Sequence, residues 1–148
     1  MILEWHDKTF AELTTDELFA INLLRANVFN GEQKCITPDP DLMDKQAHHV
    51  FAIQDGKLAA YGRYYQENDH ASLGRVAVNP LFRRQGFGKQ LVQHLMDGIA
   101  ANFPGKDILI HAQFYIKGLY EQFGFTVSGD DVFFEAEREH ITMTHPAL

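Results

Sequence analysis

Apolar positions recur along this chain with two different periods, and the order in which those periods alternate predicts its elements. Residues 1 to 6 read as a first strand. Thr14 and Glu17 then have the spacing of a capping box, in which the Thr14 hydroxyl accepts from the third helical N–H and Glu17 reaches back. Leu18, Ile21, Leu24 and Val28 continue from it at helical spacing. Residues 30 to 47, with Gly31, Pro38, Pro40 and several aspartates, read as an irregular loop holding a short helix around Asp41 to Lys45. His49 to Ile53 and Leu58 to Tyr65 flank Asp55-Gly56, a hairpin signal because both positions tolerate positive φ. A second turn at Asn68-Asp69 leads into a strand over 71–78.

The second half reads as a long helix, a strand and a set of short pieces. Helix 86–102 carries Phe87, Leu91, Val92, Leu95, Met96 and Ile99 on one face, and Pro104-Gly105 stops it. A strand from Asp107 to Gln113 follows, then a short helix from Tyr115 to Phe123 ended by Gly124. The tail reads as Phe125 to Val127, a polar loop, and a closing strand near His140 to Thr144. A helix between strands, with hairpins at both ends, implies an α/β domain with a mixed sheet. At 148 residues the expectation is one domain, 1–148.

Charge and composition narrow the function. Thirteen Lys and Arg against twenty Asp and Glu leave a formal −7. That excludes a general nucleic-acid binder, whose affinity comes from neutralising phosphates. The single cysteine, Cys35, has no intrachain partner and reads as a small buried residue. The first residues lack the charged and apolar regions of a signal peptide, and no apolar run is long enough for a bilayer. A cytoplasmic setting, with no membrane partner, is the expectation. Of His48 and His49, which enter a strand, one should point inward. No group of ligands at metal spacing stands out, so no metal is expected. Trp5 reads as a core residue or a subunit contact, the latter as part of a homodimer.

Between the strand at 71–78 and the helix at 86–102 lies Arg83-Arg84-Gln85-Gly86-Phe87-Gly88-Lys89. A helix N-terminus presents unpaired N–H groups and a partial positive charge, so an anion is the natural occupant. An ordinary helix start containing glycine is the plainer alternative. A Walker loop fails, because Arg83 stands where its first glycine belongs and Gln90 where its Ser or Thr belongs. The dinucleotide fingerprint fails as well, since Leu91 stands in place of its third glycine.

The spacing of Val78, Pro80, Arg83, Gly86 and Gly88 resembles the acetyl-CoA loop of the GNAT superfamily of N-acetyltransferases. Ala112-Gln113-Phe114-Tyr115, then Leu119-Tyr120-Glu121-Gln122-Phe123-Gly124-Phe125, is similar to that superfamily's second motif. Val28-Phe29 followed by Glu32-Gln33-Lys34-Cys35 is similar to the ElaA-like subgroup. The resemblance implies a mixed, mostly antiparallel sheet with splayed central parallel strands and helices on both faces. It implies transfer of an acetyl group from acetyl-CoA to a primary amine of a small molecule or peptide, by direct attack in a ternary complex. A coenzyme A-binding sensor or interaction module on the same fold remains the alternative.

The loop's chemistry suits that coenzyme. Gly86 and Gly88 let backbone approach the pyrophosphate, while Arg83, Arg84 and Lys89 supply charge, with Gln85 and Phe87 completing the segment. By the resemblance, the pantetheine arm runs between the strand of Val76, Ala77 and Val78 and the strand ending at Gln113. A backbone N–H there polarises the thioester carbonyl, a contribution of about 3 kcal/mol per preorganised hydrogen bond. Tyr120 matches the tyrosine that serves the leaving thiolate, with Tyr115 as runner-up. Full proton transfer from a phenol near pKa 10 to a thiolate near 8.5 is uphill by roughly 2 kcal/mol, so Tyr120 reads first as a hydrogen-bond donor.

An α-amine near pKa 8 is neutral to about 10% at pH 7, and a lysine-like amine near 10.4 to about 0.04%, so a base matters most for alkylamines. The candidates are Glu32, the Asp39/Asp41/Asp44 cluster, His111 and Glu135. Glu32, Asp39, Asp41 and Asp44 against Lys34 and Lys45 leave net −2 in one loop. Asp130, Asp131, Glu135, Glu137 and Glu139 against Arg138 leave net −4 in the other. If both loops flank the thioester, as in the superfamily, the acceptor side is acidic and the amine is cationic. Two departures stand out. Glu137-Arg138-Glu139-His140 replaces the subgroup's Gly-Ile-Pro-His turn, and Phe87 replaces a smaller or aliphatic residue.

Overall fold

The computed structural model describes residues 3–129 and 132–148. β1 (Glu4–Thr9), β2 (His48–Gln54), β3 (Lys57–Glu67) and β4 (His70–Val78) run as an antiparallel meander. β5 (Ile108–Gln113) joins β4 in parallel, and β8 (Arg138–His145), β6 (Thr126–Val127) and β7 (Phe133–Glu135) complete one eight-stranded sheet. α1 (Thr15–Arg25) packs on one face and α2 (Phe87–Asn102) on the other. α3 (Lys117–Glu121) follows β5 after a short 3₁₀ turn.

Alternation along β3 builds both layers. Ala60, Gly62 and Tyr64 face α2, whereas Tyr61 meets Ile21, Leu24 and Val28 on the α1 side. Gly98 on α2 has no alternative: a Cβ there would lie 2.5 Å from the Tyr64 ring. The Thr14/Glu17 capping box forms as expected, with Glu17 N–H donating to Thr14 Oγ1 at 3.1 Å and Thr14 N–H to Glu17 at 2.9 Å. Asp55 and Gly56 both take positive φ in the β2–β3 turn.

Three expectations need correction. The first strand runs over Glu4–Thr9, not 1–6, because its pairing with β2 from Glu4↔Ile53 to Thr9↔His48 sets its extent; Met1 and Ile2 lie outside the described residues. The helix does not give way to a loop at residue 30. It widens into a π-helix, Ala26–Glu32, whose last bond is Gln33 N–H to Val28 C=O at 3.0 Å. The closing strand is longer than 140–144, and Phe133–Glu135 within the polar loop is a hairpin arm, β7. Its turn, Ala136-Glu137, holds both residues at positive φ, a job usually given to Asn-Gly, so the sequence carried no signal for it. Trp5 is partly buried and stacks on His94, with ring centroids 4.3 Å apart.

Candidate active site

The parallel pair at the centre of the sheet opens almost at once. Ala71 pairs with Ile108, and Ala71 N–H reaches Asp107 C=O at 2.9 Å; beyond that point β4 and β5 diverge. Part of the cause lies in β4. Its register against β3 slips between Tyr61↔Ala77 and Arg63↔Gly74, and Arg75 takes φ 53°. Such a bulge bends a strand and re-aims the groups beside it. Two cavities occupy the opening, about 440 Å³ and 470 Å³, and share Gln33, Val76, Tyr115 and Ile116 in their walls.

The larger cavity is walled by the glycine loop. Val76, Ala77, Val78, Arg83, Arg84, Gly86, Phe87 and Gly88 all line it. Gln85 and Lys89 are exposed and outside that lining. Gly86 precedes α2 with φ +80° and gives it no side-chain cap, so the first-turn N–H groups face outward unpaired by any cap. A Cβ at Gly86 would touch no protein atom within 4 Å; backbone conformation, not crowding by the protein, calls for glycine. Arg84 adopts φ 63° without being glycine.

Arg83 is engaged. Its Nε donates to Val78 C=O at 3.0 Å, and its two terminal nitrogens reach Glu32 at 2.9 and 2.6 Å. That hydrogen bond holds the Glu32 carboxyl below the usual carboxylate range, which makes it a weaker base. Glu32 therefore lies in the glycine-loop cavity, against the arginine expected to meet phosphate.

The smaller cavity is lined by Gln113, Tyr120, Glu135, His111, Asp39 and Asp41, with Asp44 outside that lining. Tyr120 is buried at 3% exposure and packs edge-on against Phe125 at 5.7 Å. Burial pushes its phenol up from the ordinary value, so it stays protonated and able to donate a hydrogen bond. Gln113 exchanges hydrogen bonds with Gln33 at 3.2 and 3.1 Å, and Gln33 also reaches the Tyr115 hydroxyl at 3.4 Å. His111 Nδ1 lies 3.0 Å from Glu135 Oε1.

The aspartate loop is where the expected charge picture changes. Asp39 and Asp44 are buried and face Arg25, itself 1% exposed. Arg63, also buried, binds Asp41 at 2.6 and 3.0 Å and Asp44 at 2.7 Å, and Arg75 adds bonds to Asp39 and Asp41. Burial opposes the Asp44 charge, but Arg25 and Arg63 outweigh it and hold the carboxyl low; Arg63 does the same for Asp41. The aspartates are thus neither a solvated acidic patch nor free bases, because three arginines from α1, β3 and β4 neutralise them. Asp130 and Asp131 of the other predicted acidic loop lie outside the described residues.

Arg63, Arg75 and Gln33 escaped the sequence reading. A signal for Arg63 existed, since it interrupts an apolar strand and a buried charge requires a partner. His49 is the inward member of its pair, with Nδ1 2.7 Å from the Tyr61 hydroxyl and Nε2 2.8 Å from Asp44 C=O. Cys35 is buried. Among the described residues no three His, Cys, Asp or Glu are grouped to hold a metal ion, and no helix is long and apolar enough to cross a membrane.

A mixed sheet splayed between its one parallel pair, with an uncapped, glycine-led helix beside the gap, defines an acyl-CoA N-acyltransferase fold. The acetyltransferase (GNAT) domain profile matches residues 32–146, and the chain belongs to that family. Within it the chain is similar to ElaA of Escherichia coli, whose crystal structure superposes with a TM-score of 0.90 at 30% identity, covering 97% of this chain and 99% of that one. An acyl-CoA N-acyltransferase from Pseudomonas aeruginosa gives the same TM-score and coverage at 32% identity. UPF0039 protein C11D3.02c of Schizosaccharomyces pombe is 35% identical over 144 residues, 95% of each chain.

Proposed function

We propose that this protein transfers the acetyl group of acetyl-CoA to a primary amine of a small molecule or peptide, by direct attack within a ternary complex. The observation that carries the reading is the pair of cavities meeting at Val76: one walled by the glycine loop, the other by Tyr120. Gly86, Gly88 and the first turn of α2 suit the pyrophosphate, with Arg84 at hand and Arg83 once it leaves Glu32. The residues fit the coenzyme, which supplies an activated acetyl group as a thioester. Val76 N–H suits the carbonyl, and Tyr120 donates a hydrogen bond to the departing sulfur. The amine nitrogen forms the new C–N bond as the C–S bond breaks, its electron pair leaving with sulfur.

The acceptor is cationic on this reading. Asp39 and Asp41 in the smaller cavity are matched by Arg63 and Arg75, which leaves Glu67 and Glu135 without an arginine in its lining. An ammonium group is the complementary charge. The test measures thiol released from acetyl-CoA against polyamines, aminoglycosides and peptides, with Tyr120→Phe as control. Turnover that falls roughly tenfold or more in Tyr120→Phe, at unchanged acetyl-CoA affinity, is the expected result. Thermal stabilisation by acetyl-CoA with no turnover across the panel would favour the sensor instead.

A further inference from the structure

We infer that His111 is the general base for the amine, and that Glu135 acts through it as a positioning residue. This rests on the acetyltransferase reading above. The alternation of β5 turns Ile108, Ile110 and Ala112 into the core beneath α2 and leaves Leu109, His111 and Gln113 on the opposite face, where all three line the smaller cavity. His111 stands three residues beyond the parallel contact at Ile108, and Gly74 stands three beyond Ala71 on the opposing strand. The imidazole therefore belongs to the stretch of the opening next to Val76, where both cavities meet.

The other candidate bases have been drawn off by partners. Asp39, Asp41 and Asp44 are held by Arg25, Arg63 and Arg75, and Glu32 is held by Arg83 on the coenzyme side. Of the bases the sequence offered, His111 and Glu135 remain, bonded to each other at 3.0 Å. A carboxylate is an acceptor only, so the ring must place its proton on Nδ1, which leaves the Nε2 lone pair as the basic site. Phe133 on the same hairpin arm meets the His111 ring edge-on at 5.1 Å and limits its rotation. The β7–β8 hairpin, absent from the sequence reading, is what brings Glu135 to His111.

The step balances simply. An N–H bond of the amine breaks, its electron pair stays on nitrogen for attack on the acetyl carbon, and the proton passes to His111 Nε2. One proton, from the imidazolium or exchanged through water, ends on the sulfur.

The test uses the full chain with ¹⁵N-labelled histidine and does not need an acceptor. Long-range ¹H–¹⁵N correlation is expected to show a neutral His111 ring protonated on Nδ1, converting toward the Nε2–H tautomer in Glu135→Gln. An Nε2–H ring in the unaltered protein overturns the dyad, whether or not any amine is acetylated. A kinetic arm compares an alanyl peptide amide, presenting an α-amine, with an Nα-blocked lysine amide, presenting an ε-amine. His111→Gln should lower kcat/KM about 100-fold or more for the ε-amine and clearly less for the α-amine, with acetyl-CoA stabilisation unchanged. Equal losses for both amines, or none, would overturn the base assignment. If the unaltered protein acetylates neither probe, that counts against the acetyltransferase reading, and the ring tautomer still decides the dyad.

Discussion

The two sides of the central opening are built on different principles. On the glycine-loop side, one stretch of chain from Val76 to Gly88 supplies most of the wall, and a Cβ at Gly86 would meet nothing in the protein. On the other side, α1, β3 and β4 each contribute one arginine and the 39–45 segment three aspartates, all bonded to one another, with Arg25, Arg63, Asp39 and Asp44 buried. The first is a loop shaped to receive something. The second is a structural frame that holds a cavity open and uses up its own charges in doing so. Substitutions on the first side should therefore act on ligand affinity, and those on the second on stability.

The largest effect expected from that contrast is Arg25→Ala. It leaves Asp39 and Asp44 buried against one arginine fewer, and breaking a buried pair costs about 3–5 kcal/mol. A fall in Tm of roughly 10 °C is expected, with acetyl-CoA affinity preserved in the folded fraction. A variant as stable as the parent would remove the frame from the acceptor side. Next comes Gly86→Val, which forces a β-branched residue to φ +80° and puts methyl groups into the coenzyme cavity. Acetyl-CoA affinity should drop about 100-fold, roughly 2.7 kcal/mol, by calorimetric titration. Unchanged affinity there, together with unchanged affinity in Arg83→Ala, would sink the loop assignment.

The frame also predicts how stability responds to acid. His49 is buried and its ring is pushed below the ordinary histidine value by desolvation, so the unfolded chain takes up the proton first and stability falls as pH drops below about 6.5. Asp41 and Asp44 are likewise depressed, by Arg63 for the first and by Arg25 and Arg63 against burial for the second. Their contribution is present above the usual carboxylate value and is lost as pH falls below it, so the Tm curve should steepen below about pH 4. A flat Tm from pH 7 to pH 4 would contradict the role of His49. The smallest expected effect is Glu32→Gln. It frees Arg83 from an exposed ion pair of modest worth, so acetyl-CoA should bind about two- to fivefold more tightly. Weaker binding would mean that Glu32 helps to hold the arginine in its productive place.

The same contrast explains what was legible. Pro80, Arg83, Gly86 and Gly88 lie within nine residues, and their meaning depends on spacing alone, so the glycine-led start of α2 could be read directly. Asp39, Asp41 and Asp44 were equally visible, yet their charge was misjudged, because the arginines that neutralise them come from other elements. The β7–β8 hairpin was missed for a local reason: Ala136-Glu137 adopts a turn that its residue types do not favour. The π-helix was missed because its apolar residues keep roughly helical spacing while its hydrogen bonds lengthen by one residue.

By itself the sequence determined whatever rests on neighbours a few positions apart: the α1 cap, the Asp55-Gly56 turn, the glycine loop, and the placing of Tyr120 before Gly124-Phe125. Turn geometry, capping and helix-end electrostatics act over one or two turns of chain, and residue order is enough to specify them. Tertiary structure alone decided which charges are free. Arg25 meets Asp39 across 14 positions, Glu135 meets His111 across 24, and Gln33 meets Gln113 across 80. Whether a carboxylate is a base, a structural counter-ion or an orienting group depends on what stands within a few ångströms of it, and only the folded sheet fixes that distance.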